Sequence, residues 1–183
     1  DVERIERLIT DYSQMLKDEA TLSRTKMKKI ELSSVVNSVV EDFNSDLTNS
    51  NKNIKINIKN SNLNGSKLNI LGVESKIEQI IANLLDNAIS FSESNKDVIV
   101  KVSKSIDKQV VINILDEGQG FKEIDTNKIF KRFYSNRPDK FGQHSGLGLN
   151  IVKNLVDLHN ATIKASNRTD RMGANMEIIF PKI

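Results

Sequence analysis

The stretch GQHSGLGLNIVKNLV, residues 142–156, places two glycines at the start of an apolar helix pattern. Ser145 is a good N-cap for a helix that begins at Gly146. Gly146 and Gly148 have no side chains to keep an anion away from the first turn, where unpaired N–H groups and the helix dipole favour phosphate. A helix can also begin with glycines and bind nothing, so this pattern is weak evidence when taken alone.

A second candidate lies on a helix predicted from Glu74 to Phe91. Its apolar stripe contains Ile77, Ile80, Ile81, Leu84, Leu85 and Ala88, and a polar stripe beside it contains Gln79, Asn83, Asn87 and Ser90. Two asparagines one turn apart at the edge of a core must find hydrogen-bond partners. An asparagine oxygen is a neutral, hard ligand that suits Mg²⁺ alongside phosphate oxygens. The competing interpretation is a pair of solvated asparagines in an asparagine-rich chain.

The stretch DEGQG, Asp116 to Gly120, follows a strand-like VVINIL run. A carboxylate at a strand end can accept a hydrogen bond from an exocyclic amine such as that of adenine. Gly118 and Gly120 would let the backbone turn and lie close to a flat ring. An ordinary turn with the same residues is the alternative.

A long segment, residues 129–145, has no clean period. It contains three aromatic anchors and then several cations: Phe130, Phe133, Tyr134, Lys131, Arg132, Arg137 and Lys140. Long irregular segments inside compact domains are often lids, and a cation here could reach a polyphosphate. A surface loop with solvated charges is the alternative.

Helices and strands alternate around these stretches and predict an α+β fold, a two-layer sandwich with an antiparallel or mixed sheet. The first thirty residues form one helix with a narrow apolar seam, typical of a core helix or of a dimerising bundle. Ser33 or Ser34 is expected to cap a helix that ends near Leu47. Strands are predicted in residues 53–60, 67–72, 97–105, 109–115, 161–167 and 174–180, and a last helix from Gly146 to about His159.

Composition restricts the protein class. The chain has 183 residues and no cysteine, which excludes disulfides and thiolate metal sites. The net charge is +3, and the lysines are scattered, so we expect no nucleic-acid partner. No apolar run is long enough to cross a bilayer, and no signal-peptide pattern is visible in these residues. The first residue is Asp1 rather than methionine, which suggests a piece of a longer protein.

The order of the four stretches resembles the ATP-binding domain of sensor histidine kinases, in the gyrase, Hsp90, histidine kinase and MutL superfamily. QIIANLLDNAISFS resembles the N box of that family, DEGQG its G1 box, IFKRFY its F box and SGLGLNIV its G2 box. The similarity covers residues 30–181 and is strongest to ChvG/ExoS-type sensor kinases. It implies a Bergerat fold with about five strands and three helices in residues 30–183, preceded in residues 1–29 by the second helix of a dimerisation and phosphotransfer hairpin.

The resemblance also implies roles for individual residues. Asn87 would ligate Mg²⁺ that bridges the phosphates of ATP, Asp116 would bind the adenine amino group, and Asn83 would stand where ATP-hydrolysing relatives carry a glutamate. Gly118 and Gly120 would shape the base pocket, and Phe91 would pack near the base. Arg137 is the best lid candidate for a γ-phosphate contact. Ser90 stands where many of these kinases have a basic residue, so one phosphate contact would be lost or supplied by Arg137, Lys140 or His144. The other implied nucleotide contacts are Tyr134, Ser145, Gly146, Leu147, Gly148 and Leu149.

The implied partners are ATP, the chain's own hairpin within a homodimeric parent, and a response regulator. The implied location is the cytoplasmic side of a bacterial inner membrane, to which other segments would anchor the parent.

A phosphoaccepting histidine is missing, because His144 and His159 fall in the lid and at a helix end. We interpret His144 as solvated and His159 as a helix C-terminal residue favoured by the dipole.

Without its hairpin partner, the leading helix should expose its seam or bury it in a non-native contact. The seam residues are Ile5, Leu8, Tyr12, Met15 and Leu22.

Three alternative functions remain open. The first is a chaperone-like ATPase, which would need a glutamate at position 83, and the second is an anti-sigma-type serine kinase, which would lack the leading helix and the F box. The third is an interaction module that has lost ATP.

Overall fold

The computed structural model describes residues 2–24, 26–61, 65–122, 126–131 and 148–183. Four α-helices lie in these ranges: α1 (Val2–Arg24), α2 (Leu32–Leu47), α3 (Glu74–Phe91) and α4 (Gly148–Leu158). The strands are β1 (Lys28–Glu31), β2 (Lys55–Ser61), β3 (Asn69–Gly72), β4 (Asp97–Lys104), β5 (Val110–Leu115), β6 (Thr162–Asn167) and β7 (Ala174–Phe180). A short 3₁₀ helix covers Thr126–Phe130.

Five strands form the main sheet in the order β2-β4-β5-β7-β6. β2 pairs with β4 in parallel, and the other neighbours are antiparallel, so the sheet is mixed. Apolar residues alternate along the strands, as in β4, where Val98, Val100 and Val102 are fully buried. Because that alternation gives one apolar face, helices cover that side and leave the polar side open. The predicted two-layer α+β sandwich is confirmed.

Two local predictions need correction. Glu31, rather than Ser33 or Ser34, caps α2: its Oε2 accepts from the Ser34 N–H and from the Ser34 hydroxyl, both at 2.8 Å. The strand β1 was not predicted at all. It pairs with β3, where Ile30 lies opposite Ile70, and it contains residue 29, at which the predicted domain boundary lies.

The described part of the leading helix α1 exposes several apolar side chains. Ile5 and Tyr12 are exposed, as predicted, and so are Val2, Ile9 and Leu16. Leu8 differs, because it is half-buried against the core, and α1 contacts α4. The side chains of Met15 and Leu22 lie outside the described residues. None of the helices in the described ranges combines the length and the apolar composition needed to span a membrane.

A lysine from a distant loop caps the C-terminus of α3. The last turn of α3 contains no basic residue, but the Lys52 ammonium donates to the carbonyls of Ile89, Ser90 and Ser92 at 3.1, 3.2 and 3.0 Å. Carbonyls in the last helical turn have no partner within the helix, and a cation there also complements the helix dipole. Lys52 therefore fixes the end of the helix that carries Asn83 and Asn87.

We expect Lys52→Met to lower the free energy of unfolding by about 1–2 kcal/mol, because three carbonyls lose a charged donor. Urea denaturation followed by circular dichroism measures this change. Lys55→Met, which removes an exposed lysine of β2, serves as the matched control and should change stability by less than about 0.5 kcal/mol. Equal stabilities of the two variants would show that the Lys52 cap contributes nothing.

Candidate functional site

The helix α3 places its two stripes as the sequence predicts. Every residue of the apolar stripe is buried: Ile77, Ile80, Ile81, Leu84, Leu85 and Ala88. Every residue of the polar stripe is half-buried: Gln79, Asn83, Asn87 and Ser90. The two asparagines thus lie at the border between the core and the surface, where a carboxamide can contact a ligand.

Asp116 is 5% exposed and lies directly after β5. Its Oδ1 accepts from the Gly118 N–H at 2.9 Å and from the Ala174 N–H at 3.0 Å. One bond comes from its own turn and the other from β7, so two elements fix the carboxylate. An ionised carboxylate has about four acceptor sites, and the two bonds at Oδ1 account for about half of them.

The two glycines after Asp116 are required by contacts within the protein. A Cβ at Gly118 would lie 2.5 Å from the Phe91 carbonyl oxygen. Gly120 has a φ of +72°, and a Cβ there would lie 2.6 Å from the Asn167 side chain. The predicted turn and close approach are both present. The approach in the structure is to protein backbone and to Asn167, and proximity to a flat ring stays a prediction.

The contact at Gly118 joins the two parts of the site. It brings the turn after Asp116 against the last residue of α3, so that the carboxylate and the asparagine helix share one end of the fold. Phe91 is 41% exposed at this junction. An aromatic side chain there is available for contact with a planar ligand.

The F-box stretch contributes one anchor in the described residues. Ile129 and Phe130 are buried at the end of the 3₁₀ helix, and the Phe130 carbonyl accepts from the Asn150 side chain at 3.0 Å. This bond joins the start of the lid stretch to α4. Phe133, Tyr134, Arg137 and Lys140 lie outside the described residues, as does His144.

The helix α4 begins at Gly148. A Cβ at Gly148 would meet no atom of the described residues within 4 Å. Leu149 is half-buried and packs against the core. Ser145, Gly146 and Leu147 lie outside the described residues, so the predicted N-cap and the predicted start at Gly146 stay predictions.

His159 lies at the end of α4, as the sequence predicts, but it is buried and is not a cation favoured by the helix dipole. It is 2% exposed, its Nδ1–H donates to the Leu155 carbonyl at 2.7 Å, and its Nε2 accepts from the Val73 N–H at 3.2 Å. A ring that donates from one nitrogen and accepts at the other is neutral. Burial lowers the pKa of His159, and the bond to Leu155 opposes that shift. Its role is to join the end of α4 to the start of α3.

This histidine predicts a pH dependence of stability. In the unfolded chain His159 titrates near 6.5, and in the folded chain it titrates lower. Below pH 6.5 the unfolded chain therefore binds more protons, and the free energy of unfolding falls as the pH falls, by at most about 1.4 kcal/mol per pH unit. Urea midpoints between pH 7.5 and 5 measure this slope. His159→Gln should remove it, and His144→Gln should keep it. A slope unchanged in His159→Gln would contradict this role.

Sequence reasoning missed three residues that shape the site. Asn167 accepts from the Phe121 N–H at 2.6 Å and donates to the Phe121 carbonyl at 2.9 Å, which fixes the chain after Gly120. Arg168 donates to the Asp116 carbonyl, and Lys52 caps α3. Each acts over a long sequence separation, and a single sequence contains no signal for such a pair.

The donors at this site suit a hard cation. No group of three or more His, Cys, Asp or Glu side chains within the described ranges is arranged to hold a metal ion. Asn83 and Asn87 offer neutral oxygens one turn apart on α3. Mg²⁺ keeps several waters and uses few protein ligands when phosphate oxygens complete its shell, so one asparagine is sufficient.

A comparison with protein families decides the classification. The family described as histidine kinase-, DNA gyrase B- and HSP90-like ATPase matches residues 72–183. The chain belongs to this family. The match includes α3, the Asp116 turn and α4, so the resemblance to an ATP-binding histidine kinase domain is confirmed.

Individual relatives agree with this assignment. The sensor protein ChvG of Rhizobium meliloti (strain 1021) is 33% identical over 178 residues, which cover 94% of this chain and 30% of ChvG. The chain therefore spans about a third of the length of that relative. This identity of 33% confirms the similarity to ChvG-type kinases that was expected from the sequence.

Two solved structures show the same fold. Full-length ShkA in complex with AMPPNP has a TM-score of 0.75 at 21% identity, and the match covers 98% of this chain and 36% of ShkA. Histidine kinase ThkA in complex with the response regulator protein TrrA has a TM-score of 0.71 at 21% identity, covering 98% of this chain and 49% of ThkA. At 21% identity, the similarity to these two structures supports the fold alone.

Proposed function

We propose that this chain binds Mg·ATP and supplies the catalytic part of a protein-histidine kinase, which transfers the γ-phosphate to a histidine on a dimerisation helix. The observation that carries the proposal is the Asp116 carboxylate, held by two backbone N–H groups beside the asparagine helix α3. Membership in the ATPase family supports the nucleotide, and the sensor-kinase relatives support the acceptor class.

Asp116 recognises the base in this proposal. Its carboxylate accepts from the adenine amino group, while the bonds at Oδ1 keep it from rotating. Gly118 and Gly120 shape the pocket, and Phe91 packs on the base. A site built to pair an amino group discriminates against a base that lacks it.

Asn87 holds Mg²⁺, which neutralises the charge of the triphosphate when it is bound. The backbone from Gly146 to Leu149 donates to the phosphates, with Ser145 as the cap. Tyr134 would contact the nucleotide, and Arg137 would contact the γ-phosphate. These assignments follow the family motifs that the sequence matches.

Asn83 favours transfer over hydrolysis. A carboxamide cannot deprotonate water, whereas a carboxylate at that position could act as a general base. Phosphoryl transfer needs positioning and charge stabilisation more than proton abstraction, so a chain with Asn83 can still catalyse it. This residue distinguishes the proposal from a chaperone-like ATPase.

The acceptor histidine lies outside this chain in our proposal. His159 is buried, and both of its ring nitrogens are already hydrogen-bonded. The exposed apolar residues of α1 suit packing against the first helix of the hairpin, so we place the acceptor on that helix in a homodimeric parent. A response regulator would then receive the phosphate, and other segments would anchor the parent in the membrane.

Incubation with γ-labelled ATP tests the proposal. The chain alone should bind ATP and Mg²⁺, hydrolyse ATP slowly and carry no acid-labile, base-stable label. Addition of a separate protein with the intact hairpin should give such a label on that protein. Labelling of His144 or His159 in the chain alone would contradict the external acceptor. Failure to bind ATP would favour a pure interaction module instead.

A further inference from the structure

The turn between β6 and β7 returns to the backbone of Asp116. The Arg168 side chain is 2% exposed, and its Nη1 donates to the Asp116 carbonyl oxygen at 3.1 Å. Its Nε and Nη2 donate to the two carboxylate oxygens of Asp170 at 2.9 and 2.8 Å. Because a planar guanidinium bound at two points has one orientation, Asp170 directs Nη1 of Arg168 at the Asp116 carbonyl.

The same turn also contacts Asp116 through Gly173 and Ala174. Any Cβ at Gly173 would clash with the Asp116 carbonyl, and the Gly173 carbonyl accepts from the Arg168 N–H at 2.9 Å. The Asp116 N–H donates to the Ala174 carbonyl at 3.0 Å, and the Ala174 N–H donates to Asp116 Oδ1 at 3.0 Å. The direction of the carboxylate therefore depends on the shape of this turn as well as on β5.

A second arginine in the turn provides a contrast. Arg171 is 56% exposed and donates to Glu117 Oε1 at 2.6 Å and to Asp170 Oδ2 at 3.3 Å. These two bonds go to acidic residues near Asp116 and not to Asp116 itself. The pair with Asp170 is exposed on both sides and contributes little. Arg171 is therefore a matched control for Arg168.

We propose that Arg168 is a positioning residue that orients the Asp116 carboxylate toward the base of a bound nucleotide. This inference rests on the proposed function, in which Asp116 pairs with the adenine amino group. Without the guanidinium, the Asp116 carbonyl loses a charged donor, and the turn that holds Oδ1 loses the bonds that fix its shape. A carboxylate that is free to shift no longer distinguishes a base with an amino group from one without it.

The test compares ATP with purine riboside 5′-triphosphate, which lacks the amino group, by equilibrium competition in excess Mg²⁺. The quantity measured is the dissociation constant of purine riboside 5′-triphosphate divided by that of ATP. We expect a ratio of at least about 10 for the wild type and for Arg171→Met, and one of about 1–3 for Arg168→Met. Arg168→Lys should give an intermediate ratio, because an ammonium can donate to Asp116 but cannot bind Asp170 at two points.

The outcomes separate positioning from a purely structural role. If Arg168→Met weakens both nucleotides equally and keeps the wild-type ratio, Arg168 does not position Asp116. Thermal unfolding is measured in parallel. If Arg168→Met does not fold, Asp170→Asn tests the same bonds and should lower the ratio, and an unchanged ratio there overturns the inference. A wild-type ratio near 1 would instead contradict the assignment of Asp116.

Discussion

Asp116→Asn should weaken ATP binding at least about tenfold, which corresponds to about 1.4 kcal/mol. The asparagine keeps the size of the side chain, and its oxygen can still accept from the Gly118 and Ala174 N–H groups. Its amide nitrogen, however, presents donors where the carboxylate presented acceptors. The adenine amino group is itself a donor, so the pair becomes repulsive.

Equilibrium competition against labelled ATP measures this loss. Asp97→Asn is the matched control, because Asp97 is an exposed carboxylate that accepts from the Asn57 side chain at 3.1 Å. We expect its ATP affinity to stay at the wild-type value, and GTP to bind the wild type poorly. Wild-type affinity in Asp116→Asn would remove Asp116 from base recognition.

Asn87→Ala should abolish the Mg²⁺ dependence of ATP binding, with a loss of about tenfold or more in excess Mg²⁺. The variant deletes the hard oxygen ligand on α3 and leaves the helix with a good helix former. Without Mg²⁺ the charge of the triphosphate is not neutralised. The affinity of the variant in excess Mg²⁺ should therefore equal the affinity of the wild type in EDTA.

Titrations of ATP with and without Mg²⁺ check this result. Asn37→Ala, which removes an exposed asparagine of α2, controls for the loss of a helical asparagine away from the site. It should keep the wild-type difference between the two conditions. Equal affinities of Asn87→Ala and wild type in excess Mg²⁺ would show that Asn87 is not a ligand.

Local sequence patterns predicted the elements that depend on short-range spacing. The ends of α3 at Glu74 and Phe91 agree with the structure, because an uninterrupted apolar stripe with a period near 3.6 determines such a helix. The strands β4 and β5 and the final strands were predicted for a similar reason, since strict alternation marks half-buried strands. The half-burial of Asn83 and Asn87 followed from the same helical spacing.

Long-range contacts were not predictable. The bond between Val73 and His159 spans 86 positions, and the bond between Arg168 and Asp116 spans 52. Neither residue type identifies its partner in a single sequence. The strand β1 has only Ile30 buried, and it forms because β3 supplies the opposite edge. The helix cap from Glu31 instead of a serine has a local reason, since several residues near a helix start can accept from its N–H groups.

The family motifs assigned chemistry that spacing alone could not. The turn after Asp116 has an explanation within the protein, because Gly118 and Gly120 avoid clashes with Phe91 and Asn167. The geometry is therefore compatible with a turn that binds nothing. The assignment to adenine comes from the order of the motifs and from the family match to residues 72–183.

Isothermal titration of ATP into the chain tests the central claim, that the site formed by Asp116 and Asn87 binds Mg·ATP. Titrations of GTP in Mg²⁺ and of ATP in EDTA serve as references. We predict saturable binding of one ATP per chain in Mg²⁺, and binding that is at least about tenfold weaker in both references. Absence of ATP binding, or equal affinity for ATP and GTP regardless of Mg²⁺, would contradict the claim.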